Sequence, residues 1–366
     1  MITISAPGKL MLSGEWSILE NGVPSIVLAI NKRVYASIKE SEEIKVTLKD
    51  FGIETKATLK GIEVEFENYD EKLIFTKHAI ETSLNYIQSK GLRIKKFELE
   101  TKGDISNVDV RGEQMKIGFG SSAAATVAII GAILKLHNIS FNTEQGKEKL
   151  FKLSIISHYK AQGKTGSGFD VAASVYGGAF LYKKFDSEFL EEELGKPIIE
   201  LVGEEWPQLE IEPIVLPKEF QIMIGFTGKS ASTTELVKKI HELKQKNKEK
   251  DDRIIKGIKN VTEKLKISLI ENDEDDVLEL IRENSIRLKE LGDESGIELE
   301  TKEHSKMREI ALKHGAACKF SGAGGGDCSI GVCFSNEVAE KVKEEWKQNN
   351  CEPIEAKISE QGVREE

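Results

Sequence analysis

The chain holds 366 residues, with 52 Lys and Arg against 62 Asp and Glu for a formal net charge of -10. That length exceeds what one hydrophobic core usually serves, so two domains sharing a cleft are expected. The acidic balance and the lack of a basic block argue against a general nucleic-acid surface and leave anionic small molecules to be gripped locally.

The first half reads as strands followed by helices. Residues 2–6, 25–30, 34–39, 44–48 and 95–100 have β-like composition, while 75–90 and 122–136 carry helical periodicity. This pattern points to the α+β class, with an antiparallel-rich sheet covered by helices on one face rather than a doubly wound parallel sheet. Near residues 182–193 the glycine-rich sequence turns acidic, and Pro197, Pro207, Pro213 and Pro217 punctuate a stretch read as extended. A boundary near residue 185 follows, with expected domains 1–185 and 186–366. The second half opens with a strand at 220–226 and continues into Lys- and Glu-rich helices near 233–249, 252–271, 274–291 and 299–314. An apolar, glycine, apolar pattern at 317–334 and a last helix at 336–348 complete it.

The longest apolar run is too short to cross a bilayer, and Met1 to Pro7 has neither a basic n-region nor a cleavable stretch. A soluble, cytoplasmic protein without a membrane partner is expected. Cys318, Cys328, Cys333 and Cys351 form no C-x-x-C pair and read as free, mostly buried thiols.

Four glycine-bearing segments carry the chemistry. Lys116 to Thr126, KIGFGSSAAAT, reads as an anion-binding loop opening a helix. Gly118 and Gly120 let the backbone turn, Ser121 and Ser122 can cap, and first-turn amides face a ligand. It is not a Walker A loop, because Gly163-Lys164-Thr165 and Gly228-Lys229-Ser230 have His158 and Met223 where the first glycine belongs. It is not a dinucleotide fingerprint either, since Ala123 stands where the third glycine is required. The other segments are Ala6-Pro-Gly-Lys9, read as a strand end and tight turn presenting Lys9, then Gln162 to Asp170, and Phe320 to Asp327. Each alone is most simply a structural turn; their joint order is the signal. His78, His137, His158, His241, His304 and His314 show no metal-binding spacing, and none is assigned to catalysis.

The set Ala6-Pro-Gly-Lys9, Gly118-Phe-Gly-Ser-Ser-Ala-Ala124 and Ser321-Gly-Ala-Gly-Gly-Gly-Asp327 resembles the three signature motifs of the GHMP kinases, over nearly the whole chain. Within that superfamily, Gln162 to Gly177 and Gly225 to Thr234 are most similar to the phosphomevalonate kinase branch. The resemblance implies a two-domain fold, with an N-terminal ribosomal-protein-S5-like α/β domain and a C-terminal ferredoxin-like α/β domain. ATP and acceptor would meet in the cleft between them. It implies ATP-dependent phosphorylation of (R)-5-phosphomevalonate with Mg²⁺ as cofactor. Mevalonate kinase chemistry, the related diphosphomevalonate decarboxylation and a silent ligand sensor remain alternatives, and monomer and homodimer both stay open.

Carried over residue by residue, Lys116, Gly118, Gly120, Ser121, Ser122 and Ala123 would wrap the ATP phosphates, with Ser122 near the metal. Gly322, Ala323 and Gly324 would back the acceptor, while Lys9 and Asp170 would sit at the transferring group. Asp170 would orient Lys9 and the acceptor or help hold Mg²⁺. Asn107 joins the nucleotide side only because it precedes the loop in sequence. Two anions brought together repel, so the acceptor side needs cations and hydroxyls, for which Lys164, Ser167, Ser230, Ser232 and Thr233 are the candidates, with Gly168 a further expected substrate contact.

Overall fold

The computed structural model describes residues 1–104, 107–110, 113–163, 166–229, 233–246 and 248–366. In chain order the first half runs β1 (Ile2–Ser13), β2 (Pro24–Glu40), β3 (Ile44–Leu48), β4 (Ile53–Lys60), β5 (Glu63–Phe66), α1 (Ile74–Ser89), β6 (Phe97–Gly103), β7 (Asn107–Val110) and β8 (Glu113–Lys116). It continues with α2 (Ser121–Leu136), α3 (Glu144–Ala161), α4 (Phe169–Tyr176), β9 (Ala179–Lys183), α5 (Ser187–Glu193), α6 (Ile198–Leu201) and β10 (Glu210–Ile214). The second half is β11 (Gln221–Phe226), α7 (Thr233–Lys246), α8 (Lys248–Glu271), α9 (Glu274–Ser295), α10 (Lys302–Lys313), β12 (Ala317–Phe320), β13 (Cys328–Cys333), α11 (Asn336–Gln348), β14 (Glu352–Ile354) and β15 (Arg364–Glu365).

Among the described residues eight strands of the first half and β15 form a nine-stranded sheet, ordered β10-β9-β2-β6-β3-β4-β5 with β1 pairing β2 and β15. Its ladders are antiparallel except β3 with β6. Helix α2 lies on β1 and β2, flanked by α1 and α3, with α4 against β1. Residues 25–30 and 34–39, read as two strands, are one long β2. Its pairing jumps from Pro7 opposite Arg33 to Gly8 opposite Ile30, so Asn31 and Lys32 bulge out. The expected strand end at Pro7-Gly8 is corrected by the same bulge, and Lys9 stands mid-strand.

The second sheet is fully antiparallel with order β12-β13-β11-β14. Its chain order is strand, helices, hairpin, helix, strand, the split βαβ of ferredoxin-like domains. The two halves share one continuous apolar core, in which Leu10 and Ile26 of the first sheet join Phe226, Leu265 and Ile330 of the second half. All four cysteines are buried and unpaired. No helix among the described residues is long and apolar enough to cross a membrane.

Three departures from the sequence reading have physical causes. The stretch at 197–217 is not simply extended. Asp186 caps α5 by accepting from the Glu188 and Phe189 amides, and Pro197 stands at the start of α6, where its missing N–H costs nothing. Helix α3 gives no amphipathic signal because every residue from Leu150 to Tyr159 is buried. Even Lys152 is enclosed, donating to Glu148 and to the Glu204 carbonyl, each at 2.6 Å.

The third departure concerns the expected 186–366 block, which contributes β10 and β15 to the first sheet. Buried Arg33 holds the returning tail, donating to the carbonyls of Gly362 at 2.6 Å and Gln361 at 3.2 Å and to the Ser359 hydroxyl at 3.1 Å.

Where the halves meet, Glu15 and Lys319 form an ion pair with both side chains fully buried. Lys319 also donates to the Phe320 carbonyl at 2.9 Å, and Asn284 donates to Glu15 at 3.4 Å and to the Ser13 hydroxyl at 3.2 Å. Burial lowers the Lys319 pKa, and Glu15 opposes that shift. Lys319→Met should destabilise the fold by about 3–5 kcal/mol, because Glu15 is left charged and unpaired, whereas Glu15→Leu with Lys319→Met should recover most of the loss. Denaturant unfolding of the three variants checks this; a double variant as unstable as the single one contradicts it.

Candidate active site

Lys9 stands at the centre of the site because β1 and the loop before α2 are hydrogen-bonded to each other there. Its backbone amide donates to the Phe119 carbonyl and its ammonium to the Gly118 carbonyl, each at 2.9 Å. The half-buried ammonium also lies 5.4 Å from the Phe169 ring centroid. Burial lowers the Lys9 pKa, while Asp170 and then Asp327 raise it.

Buried Ile117 and Phe119 pin the loop, leaving Gly118 exposed between them. A Cβ at Gly118 would press on the Asp327 carboxylate, at 3.1 Å from Oδ2. Gly120 has φ 80° and would place a Cβ 3.1 Å from Lys9 Cγ. Gly120, not a serine, is the N-cap of α2 and provides no side-chain cap, which corrects the expected capping by Ser121 or Ser122. The first intrahelical bond there is Ala124 N–H to Gly120 O, so the amides of Ser121, Ser122 and Ala123 have no intrahelical acceptor and suit an anion. The Ala123 side chain itself is buried, leaving only its backbone to serve. Asn107 and Lys116 are paired opposite each other in the β7–β8 hairpin, which brings the Asn107 backbone to the loop entrance.

Ser122 Oγ lies 3.1 Å from His158 Nε2, across from the buried end of α3. Burial lowers the His158 pKa, with Asp170 opposing, and Phe75 packs on the ring at 5.0 Å between centroids. Sequence reasoning assigned His158 no catalytic role because the six histidines show no metal-binding spacing, and the helix that brings it to Ser122 was not visible.

Asp170 sits in the first turn of α4, where its Oδ1 accepts from the Val171 amide at 2.9 Å. The helix is tied to β1 by Ser174, whose hydroxyl donates to the Pro7 carbonyl at 2.8 Å. Ser167 and Gly168 precede it but face the core. Tyr182 donates to the Ser167 carbonyl at 2.6 Å, and a Cβ at Gly168 would meet Ile155 Cδ1 at 2.4 Å. Gly168 is thus a position where only glycine fits, with its backbone as the part left to contact an acceptor.

From the second half, the turn between β12 and β13 closes on β1. Ser321 Oγ accepts from the Met11 amide at 2.9 Å and donates to the Met11 carbonyl at 3.0 Å. Gly322 has open space where a Cβ would stand. Partly buried Ala323 packs on the cluster containing Trp16, Leu288 and Leu299, and a Cβ at Gly324 would meet the Leu299 carbonyl at 2.6 Å. Asp327 ends the turn, with its amide donating to Lys229 O at 2.7 Å and its carbonyl accepting from Thr227 N at 2.9 Å. Its position after three glycines was the signal for it, read only as part of the motif. Thr233 begins α7. Lys164, Ser230 and Ser232 lie outside the described residues.

The site is thus one ammonium between two carboxylates, facing a loop and helix end that offer backbone amides. Such an array neutralises and orients phosphate oxygens. The Cys328 thiol behind it is buried, and burial pushes its pKa up.

Comparison with known proteins agrees with this geometry. The GHMP kinases N terminal domain matches residues 75–178, and the GHMP kinases C terminal domain matches residues 265–352. A phosphomevalonate kinase of Saccharolobus solfataricus is 29% identical over all of this chain and 99% of its own length. A mevalonate kinase of Thermococcus sibiricus is 30% identical over 99% of this chain and 98% of its own. The Streptococcus pneumoniae phosphomevalonate kinase, solved with phosphomevalonate and AMPPNP, superposes with TM-score 0.84 at 22% identity, covering 98% of this chain and 100% of that one. A loop, a lysine strand and a glycine turn that converge as described, within sequence matches spanning both halves, have one reading: the chain belongs to the GHMP kinase family.

Proposed function

We propose that this kinase transfers the γ-phosphoryl group of ATP to (R)-5-phosphomevalonate, releasing ADP and (R)-5-diphosphomevalonate in the mevalonate route to isoprenoids. The observation that carries the reading is the meeting of Lys9, the Gly118–Ala124 loop and Asp170 at one point. The choice of acceptor is supported by the full-length similarity to a phosphomevalonate kinase.

In this reading the loop amides hold the donor phosphates, and Lys9 spans donor and acceptor. An oxygen of the acceptor phosphate attacks the γ-phosphorus, the bond from that phosphorus to the β,γ-bridging oxygen breaks, and ADP leaves with the electron pair. A phosphate monoester has a second pKa of about 6, so at neutral pH the attacking oxygen has no proton to lose. Asp170 therefore acts by holding Lys9 charged and oriented rather than as a strong base.

Ser122 Oγ and the Asp170 carboxylate are hard oxygen donors of the kind Mg²⁺ takes. Among the described residues no group of three or more His, Cys, Asp or Glu could hold a metal ion. That donor set suits Mg²⁺ brought in with nucleotide phosphates, which complete its shell. When bound, Mg²⁺ neutralises charge on the β- and γ-phosphates.

A second reading, mevalonate as acceptor, is favoured by the 30% identical mevalonate kinase and by Asp170 beside Lys9, where a base for a hydroxyl would stand. ADP release measured with mevalonate, phosphomevalonate and diphosphomevalonate separates the two: turnover is expected with phosphomevalonate, and turnover of mevalonate alone selects the second reading.

Lys9→Met should lower kcat by about 10²–10³-fold, the usual cost of one transition-state donor. Asp170→Asn should cost less than the roughly 10²-fold lost with a general base. Removing the Asp170 charge takes away the largest influence that raises the Lys9 pKa, so the ammonium is lost at lower pH. The alkaline limb of kcat/KM should accordingly move down in Asp170→Asn. A larger kcat loss for Asp170→Asn than for Lys9→Met would reinstate the aspartate as base.

A further inference from the structure

We propose that His158 is a positioning residue that accepts the Ser122 hydroxyl proton and so turns the Ser122 oxygen toward the cation carried by the nucleotide. The geometry is specific. Nε2 stands 3.1 Å from Ser122 Oγ, on a buried ring that packs at a tilt against Phe75. The Ser122 backbone is held as well, because its carbonyl accepts from the Thr126 hydroxyl at 2.9 Å. A serine hydroxyl has one proton and two lone pairs. With the proton directed to His158, both lone pairs face away from α3, and the oxygen becomes the better donor to a hard cation. The arrangement makes Nε2 the acceptor nitrogen of the ring, with the ring proton on Nδ1.

This deepens the ATP-and-cation part of the proposed function and is independent of which acceptor is used. The experiment omits acceptor, so its failure is distinct from a wrong acceptor assignment. Mn²⁺ binding to the full chain with a non-hydrolysable ATP analogue is read by electron paramagnetic resonance for wild type, His158→Leu, His158→Gln and Ser122→Ala.

His158→Leu should weaken Mn²⁺ binding by about 10–100-fold, the usual range for a group behind a metal ligand. Metal-free binding of the analogue should be unchanged. His158→Gln, whose amide oxygen can accept the same proton, should retain most of the affinity. His158→Leu combined with Ser122→Ala should be no worse than Ser122→Ala alone. Unchanged Mn²⁺ affinity in His158→Leu, or additive losses, overturns the proposal. ¹⁵N NMR of the wild-type imidazole gives a second readout that needs no variant to fold. An unprotonated Nε2 in the nucleotide complex at neutral pH is expected, and a protonated Nε2 overturns it.

Discussion

The fully buried pair Glu15–Lys319 is the constraint on which the arrangement of the site depends. Two charges removed from water are tolerable only together and only with their remaining polar atoms satisfied, and Asn284 and the Phe320 carbonyl provide those contacts. Glu15 follows the strand that carries Lys9, and Lys319 stands on the strand that feeds the turn ending at Asp327. Ser321 adds a two-way hydrogen bond to the Met11 backbone, and Ser13 meets Thr262 at 2.7 Å. Every second residue from Met11 to Glu15 is therefore fastened to the second half, so Lys9 and Asp327 are held near each other by contacts behind the site. The shared apolar core works in the same direction.

An acidic chain that binds anions must do so through local fields. Among the described residues the groups placed to provide such a field are the Lys9 ammonium and the amides at the start of α2, where the lack of a side-chain cap leaves the helix end available. Asp170 and Asp327 would repel phosphate if they acted alone. Beside Lys9 they counter the desolvation that lowers its pKa. Burial also lowers the pKa of His158 behind the loop.

Much of this was legible in the chain itself, for a reason that is local. Gly120 needs a left-handed backbone that only glycine adopts cheaply, and the order of Lys9, the Gly118–Ala124 loop, Asp170 and the Gly322–Asp327 turn marks the family before any packing is known. Amphipathic α11 was readable over its full length, since one face is polar. Helix α3 was not, because burial of every residue from Leu150 to Tyr159 erased its periodicity, so the meeting of His158 with Ser122 could not be read.

What the sequence by itself determined is the set of groups and their order: glycine-bearing turns, a lysine and an acid, in the succession that marks the family. The tertiary structure decided which of these residues face open space and which only pack. Gly168 and Gly322 both adopt positive φ, yet one has Ile155 and Tyr182 against it and the other has nothing. It also decided that Ser122 meets His158, that Asp327 meets Gly118, and that β10 and β15 return to the first sheet. Torsional preference is set within a few residues of chain, whereas contacts between distant segments are set by how sheets and helices bury their apolar faces, which no short window of sequence contains.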